Sequence, residues 1–238
     1  MKSEILILKN TQREDPGIIG DVLSQHKISF DKVEIDSIQS IKDVREYKAM
    51  IVLGGPASAN DTTFAMLYEL NLIRQAVDVG LPFLGICLGL QTLVKATGGE
   101  VVRCPVPEVG FRDSSGSIFT VRLTDAGRKD QIFSGLPETF RVFELHGETV
   151  KLLDEMTLLG SGNECTNQVV RVGKNAYGFQ CHFELNEELL ECWMKEDADL
   201  KKINAAQLRA DFKLSGKEYK ETGIRLFTNF LKIAGIIN

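Results

Sequence analysis

Cys87 stands between two glycines in Gly85-Ile86-Cys87-Leu88-Gly89, at the end of the apolar run Phe83-Leu84-Gly85-Ile86. A thiol at a sharp strand-to-helix turn can act as a nucleophile, and such a turn closes only if the residues two before and two after it are small. Gly85 and Gly89 meet that need. A helix over 88–96 would set Cys87 at its start, where unpaired amides and the helix dipole favour a thiolate, so an unusually acidic thiol is expected. The same five residues would also suit a buried structural cysteine between packing glycines.

A cysteine nucleophile needs a base within hydrogen-bond reach and a third group to orient that base. The chain has three histidines, His26, His146 and His182. In His182-Phe183-Glu184 the imidazole and carboxylate are two apart at the end of a strand, so they point to the same side and can meet if the backbone turns slightly. His146, in Leu145-His146-Gly147-Glu148, is a second candidate base with Glu148 beside it to orient it. His26 lies in a polar helix-to-strand connection and reads as surface. Gly54-Gly55-Pro56 directly follows another apolar run. Its glycines would let backbone amides face a ligand, with this turn as one half of an oxyanion hole and the Leu88 amide as the other, although a plain tight turn has the same composition.

The elements that must position these groups read as α/β. Apolar runs at 5–8, 33–35, 50–53 and 82–86 alternate with helical patterns. Phe64, Leu67, Leu70, Leu72, Ile73, Ala76 and Val77 share one broad face of a helix that Gly80 and Pro82 end. The pattern predicts a doubly wound, mostly parallel, flavodoxin-like sheet with ligands at the carboxyl ends of its strands, where Cys87 and the Gly54-Gly55 turn both fall. Segments 100–104, 117–123, 157–161, 168–172 and 176–183 predict an additional antiparallel β segment. Helices are expected over 187–194, 205–212 and 219–233, and the charged stretch 195–202 reads as a solvated face. One domain over 1–238 is expected, with a core at 1–190 and a helical carboxyl-terminal extension at 191–238.

Composition narrows the function classes. With 238 residues and 43% hydrophobic content the chain can bury a substantial core. Its 28 basic and 33 acidic residues give a net charge of −5 without a basic cluster, which disfavours a nucleic-acid partner. Ile5-Leu6-Ile7-Leu8 is too short an apolar core for a signal peptide or a membrane span, so a soluble, cytoplasmic protein is expected. Five cysteines (Cys87, Cys104, Cys165, Cys181 and Cys192), with no Cys-x-x-Cys pair, indicate neither a disulfide framework nor a zinc site.

Taken together, Gly-Ile-Cys-Leu-Gly-Leu-Gln at 85–91, Gly-Gly-Pro-Ala-Ser at 54–58 and Tyr-Gly-Phe-Gln-Cys-His-Phe-Glu at 177–184 resemble the three signature blocks of the class I glutamine amidotransferases. His146-Gly147-Glu148-Thr149 is similar to the His-Gly-Asp motif of the GMP synthase-like branch, so the resemblance, which spans 1–190, is to the stand-alone glutaminases of that branch. It implies a triad of Cys87 as nucleophile, His182 as general base and acid, and Glu184 as its orienter. It also implies Gly55 and Leu88 as oxyanion amides, and Gly54, Gln91 and a turn of Leu145, His146, Gly147 and Glu148 as the holders of a glutamine or γ-glutamyl group. Two positions depart from the family pattern: Phe183 stands where proline is usual, and Glu148 where aspartate is.

The implied reaction cleaves the γ-amide of glutamine or a γ-glutamyl compound through a cysteine γ-glutamyl thioester, releasing ammonia or an amine, with no metal or organic cofactor. Nothing at 190–238 could form an ATP-activating domain, so the chain is expected either to feed a separate synthetase subunit or to hydrolyse γ-glutamyl compounds alone. Two further readings stand beside it. A catalytically idle binding or regulatory module on the same fold is disfavoured by the retained Cys87, His182 and Glu184. A cysteine hydrolase of a small non-glutamyl molecule would not require the Gly-Gly-Pro and His146 blocks.

Overall fold

A computed structural model describes residues 3–41 and 43–238; Met1 and Lys2, at the head of the segment read above for a leader, and Lys42 lie outside the described residues. In chain order the strands are β1 (Ile5–Lys9), β2 (Phe30–Glu34), β3 (Ala49–Val52), β4 (Phe83–Ile86), β5 (Glu100–Gly110), β6 (Thr120–Leu123), β7 (Thr139–Arg141), β8 (Glu144–Lys151), β9 (Thr157–Ser161), β10 (Val169–Val172) and β11 (Ala176–Phe179). The α-helices are α1 (Ile18–Gln25), α2 (Phe64–Asp78), α3 (Leu88–Ala96), α4 (Glu187–Glu196) and α5 (Ala205–Ile233).

Among the described residues, nine strands form one sheet in the order β2-β1-β3-β4-β11-β10-β9-β6-β7. Pairing is parallel from β2 to β11 and antiparallel from β11 to β7. The parallel half therefore has the doubly wound order expected, and the antiparallel strands extend its far edge. β5 and β8 form a separate antiparallel pair. Successive side chains of β1 enter opposite cores: Ile5 and Ile7 pack with Ile18, Leu189 and Phe227, while Leu6 and Leu8 pack with Ile73 and Leu93. This period of two is what a parallel strand covered by helices on both faces requires. No helix among the described residues is long and apolar enough to cross a membrane.

Several elements differ from expectation. The second strand starts at Phe30, and Ile35 begins a 3-10 turn instead of ending the strand. Segment 145–148, read as a turn, is the middle of β8. Helix α2 buries Met66, Glu69, Leu72, Ile73 and Ala76 and leaves Phe64 and Leu67 64% and 54% exposed. A buried acid at the centre of the face hid its true direction from hydrophobic periodicity. Helix α5 runs unbroken where two helices were expected, because its inner stripe passes through Leu208, Asp211, Ser215, Tyr219, Thr222 and Leu226. Asp211, Ser215 and Thr222 are polar, and Asp211 is matched by Arg112, whose guanidinium donates to both of its carboxylate oxygens at 2.9 and 2.6 Å.

Candidate active site

Cys87 links β4 to α3 with φ 53° and ψ −104°, a left-handed backbone that a side chain rarely adopts. The strain persists because its surroundings hold it. The Cys87 amide donates to the Phe179 carbonyl at 2.7 Å. A Cβ on Gly85 would lie 2.2 Å from the Gly89 carbonyl oxygen, and one on Gly89 would lie 2.2 Å from that of Val52. Both glycines are therefore forced by close approach of strand and helix, as the spacing predicts.

His182 follows β11 and is buried. Its Nδ1–H donates to Glu184 Oε1 at 2.6 Å, and its Nε2 has no hydrogen-bond partner at ordinary distance. Burial alone would lower the His182 pKa, but the Glu184 charge and the contact with Cys87 outweigh it and hold it well above the usual histidine range. Phe183 bears on the geometry through its backbone: its amide donates to Glu184 Oε2 at 2.9 Å. Proline has no N–H and could not make that bond. The turn is also fixed from outside. The Ile18 amide donates to the Glu184 carbonyl at 2.8 Å, and the Tyr219 hydroxyl donates to that of His182 at 2.9 Å.

Gly54 lies against both reacting groups, since a Cβ there would be 3.2 Å from His182 Cε1 and 3.5 Å from Cys87 Cβ. Neither the Gly55 nor the Leu88 amide donates a hydrogen bond among the described residues. The Gln91 carboxamide is engaged within the protein, donating to the Glu148 carbonyl at 3.0 Å and to Gln180 Oε1 at 3.4 Å. Gln180 in turn donates to Cys87 Sγ at 3.8 Å, and the thiol donates to the Leu145 carbonyl at 3.6 Å.

His146 is not held by the Glu148 side chain, as expected from the sequence, but by two acids that sequence reasoning missed. Its Nε2 lies 2.8 Å from Glu108 Oε2 and 3.2 Å from Glu144 Oε2, and its Nδ1 donates to the Glu148 carbonyl at 3.0 Å. β8 and β5 bring these together; a residue two away on a strand shares its neighbour's face, so Glu144 was within reach of a periodicity argument. Burial would lower the His146 pKa, but the bond to Glu108 and the nearby carboxyl of Glu144 hold it well above the usual range. Burial pushes Glu144 up to about 7, offset in part by His146. His26 is exposed, as expected.

A cavity of about 520 Å³ opens over Cys87, His182, Gly55, Gln91 and the Leu145, His146, Gly147 and Glu148 segment of β8. That size suits a small molecule. Glu184 and Leu88 stand behind this wall. The cavity has a further wall that the sequence did not reveal: Arg13 and Glu14 after β1, and Glu196, Asp197 and Asp199 from the charged stretch read as solvated. Arg13 binds Asp197 at 2.7 Å, with the two side chains only 12% and 13% exposed, which seats that stretch on the site. Burial pushes Glu14 up to about 7, against the opposing charge of His182. The carboxyl-end rule for parallel strands, applied to β1 as well, would have pointed to Arg13 and Glu14.

The glutamine amidotransferase class-I family model matches residues 19–191. Over 151 residues the chain is 32% identical to the glutamine amidotransferase-like protein YfeJ of Salmonella typhimurium, a match covering 61% of this chain and 60% of that protein. Over 176 residues it is 30% identical to the glutamine-hydrolyzing GMP synthase of Streptococcus pyogenes, covering 73% of this chain and 29% of the synthase. The match thus spans less than two thirds of either relative. A crystal structure of a glutamine amido transferase from Methylobacillus flagellatus superimposes with a TM-score of 0.84 at 25% identity, covering 98% of this chain and 96% of that one.

Proposed function

This chain belongs to the glutamine amidotransferase class-I family, and from that premise we propose that it hydrolyses the γ-amide of glutamine or of a γ-glutamyl compound through a thioester on Cys87. The observation that carries the reading is the alignment of Cys87, at a strained elbow, with a His182 whose far nitrogen is bonded to Glu184 at 2.6 Å. His182 Nε2 takes the thiol proton and the thiolate attacks the γ-carbonyl carbon. The amides of Gly55 and Leu88 donate to the oxyanion that forms. Collapse of the adduct breaks the C–N bond, and His182 returns its proton to the departing ammonia or amine. Water, deprotonated by the same imidazole, then cleaves the thioester to glutamate and the free thiol.

Glu184 fixes the tautomer and stabilises the imidazolium, the role an orienting carboxylate has in such triads. Gly54 keeps the approach to His182 open. The segment Leu145 to Glu148, held by Gln91, forms the wall against the glutamyl moiety. Arg13 and Glu14, a guanidinium and a carboxyl group on the same cavity, suit the α-carboxylate and α-ammonium of that moiety. The chain acts in this reading as one domain over 1–238, in the cytoplasm, and no cofactor enters any step.

The released ammonia goes either to water or to a separate synthetase subunit, the partner that the GMP synthase likeness suggests. The deciding experiment measures ammonia and glutamate release from L-glutamine and from a γ-glutamyl dipeptide, beside Cys87→Ala. Dipeptide turnover abolished in the variant supports a free-standing γ-glutamyl hydrolase; turnover of glutamine alone supports an ammonia-supplying glutaminase. No release from either substrate, with Cys87 inert to thiol reagents, would overturn the enzymatic reading in favour of a binding role.

A further inference from the structure

Around His146, whose strand β8 lines the cavity, lies a second cluster of chemistry-bearing groups. One ligand atom from each of Glu108, His146 and Cys165 lies within 4.8 Å of the other two, and all three residues are buried. They come from three separate segments: β5, β8 and the loop between β9 and β10. A second thiol, Cys104, has its Sγ 3.4 Å from His146 Nδ1.

From this geometry we infer that Glu108, His146 and Cys165, with Cys104 beside them, form a site for a divalent cation of the Zn2+ type. The donor set is one imidazole, one carboxylate and one thiol, the mixture that selects zinc over magnesium or calcium. Each donor is also held by a further partner, as metal-binding side chains are. His146 Nδ1 donates to the Glu148 carbonyl at 3.0 Å, which leaves Nε2 directed at Glu108. Glu108 accepts from Gln168 Nε2 at 3.0 Å and from the Cys165 amide at 3.2 Å, and Cys165 Sγ lies 3.2 Å from the Thr149 hydroxyl.

Acidic side chains outnumber basic ones around the cluster. Two carboxylates, Glu108 and Glu144, each 1% exposed, face a single imidazole. Among the described residues no lysine or arginine forms a salt bridge with either acid, and Glu144 Oε2 makes no hydrogen bond although it is buried. A buried carboxyl oxygen left without a hydrogen bond is costly, and a divalent ion would offset that cost. Bound there, the ion would tie β5, β8 and the 162–168 loop into one rigid wall beside the Leu145 carbonyl that Cys87 touches.

The test titrates the whole chain with Co2+ and Zn2+, in unsubstituted and Cys87→Ala forms, following thiolate-to-Co2+ charge-transfer absorption, bound metal per chain and the thermal midpoint. One ion per chain is expected in both forms, with a thiolate band and a raised midpoint on adding Zn2+. Cys165→Ser and Glu108→Gln should each weaken binding by at least the roughly 10–100-fold that loss of an outer-shell partner costs. Cys192→Ser, outside the cluster, should leave it unchanged. The proposal fails if the unsubstituted chain gives no thiolate–Co2+ absorption, a result that does not depend on any variant folding. It fails equally if Cys87→Ala abolishes binding, which would put the ion on the triad, or if folded Cys165→Ser and Glu108→Gln bind as tightly as the parent.

Discussion

The Tyr219 hydroxyl, on α5, donates to the His182 carbonyl at 2.9 Å and accepts from the Leu185 amide at 3.3 Å. A single buried side chain of the carboxyl-terminal helix thus spans the turn that carries both His182 and Glu184. Nearby, a Cβ on Gly223 would lie 2.3 Å from the Phe183 carbonyl oxygen, so the helix backbone itself packs on this turn. The segment expected as an extension of the core is part of what orients the base.

Tyr219→Phe should leave the His182 carbonyl and the Leu185 amide buried without their partner. The expected cost is about 1–3 kcal/mol in stability. Because the loosened turn carries the base, kcat should fall while KM stays near that of the parent. Urea denaturation and steady-state kinetics check the two halves, and a variant with unchanged kcat would show that the turn is held without Tyr219.

Phe183→Pro should lower turnover even though proline is the residue the family pattern carries there. It removes the amide that holds Glu184 Oε2 at 2.9 Å, and with it part of the restraint on the carboxylate. Phe183→Leu keeps the amide and loses only ring contacts, chiefly that with Phe179 at 4.9 Å between centroids, so its pH–rate profile should match the parent's. Equal profiles for all three proteins would sink the argument.

Gly85→Ala places a methyl group 2.2 Å from the Gly89 carbonyl oxygen, where backbone rather than a flexible side chain must yield. Overpacking of this kind costs about 1–3 kcal/mol or more. Activity should be lost as the elbow is displaced, and the denaturation midpoint should fall. A variant as stable and active as the parent would mean that α3 can slide away from β4 at no cost.

Glu69 is buried in α2, and burial raises its carboxyl from 4.5 to about 7 in the folded chain. Between those values the folded state keeps the proton that the unfolded state has lost. Stability therefore falls as pH rises from about 4.5 to 7, by at most roughly 1.4 kcal/mol per pH unit from this group, and is flat in it above that window. Glu69→Gln should flatten the thermal midpoint against pH across the same window. Calorimetry from pH 4.5 to 8 on both proteins is the check; an unchanged slope would falsify the assignment.

The elbow and the His182-Phe183-Glu184 turn were legible from the sequence because their requirements are local. Two glycines at fixed offsets let a strand and a helix touch, and residues two apart on a strand end share a side. The alternation of β1 likewise follows from spacing alone, which is why the doubly wound half of the sheet matched expectation. Asp197 on the cavity wall, the Glu108, His146 and Cys165 cluster, and Tyr219 against the triad turn were decided only by tertiary structure. Each is a polar group whose burial depends on a partner far away in the chain, and each interrupts the hydrophobic pattern by which burial is read. Local spacing carries the information where one segment makes its own geometry, and long-range pairing carries it where two or three segments must meet before a polar side chain can leave water.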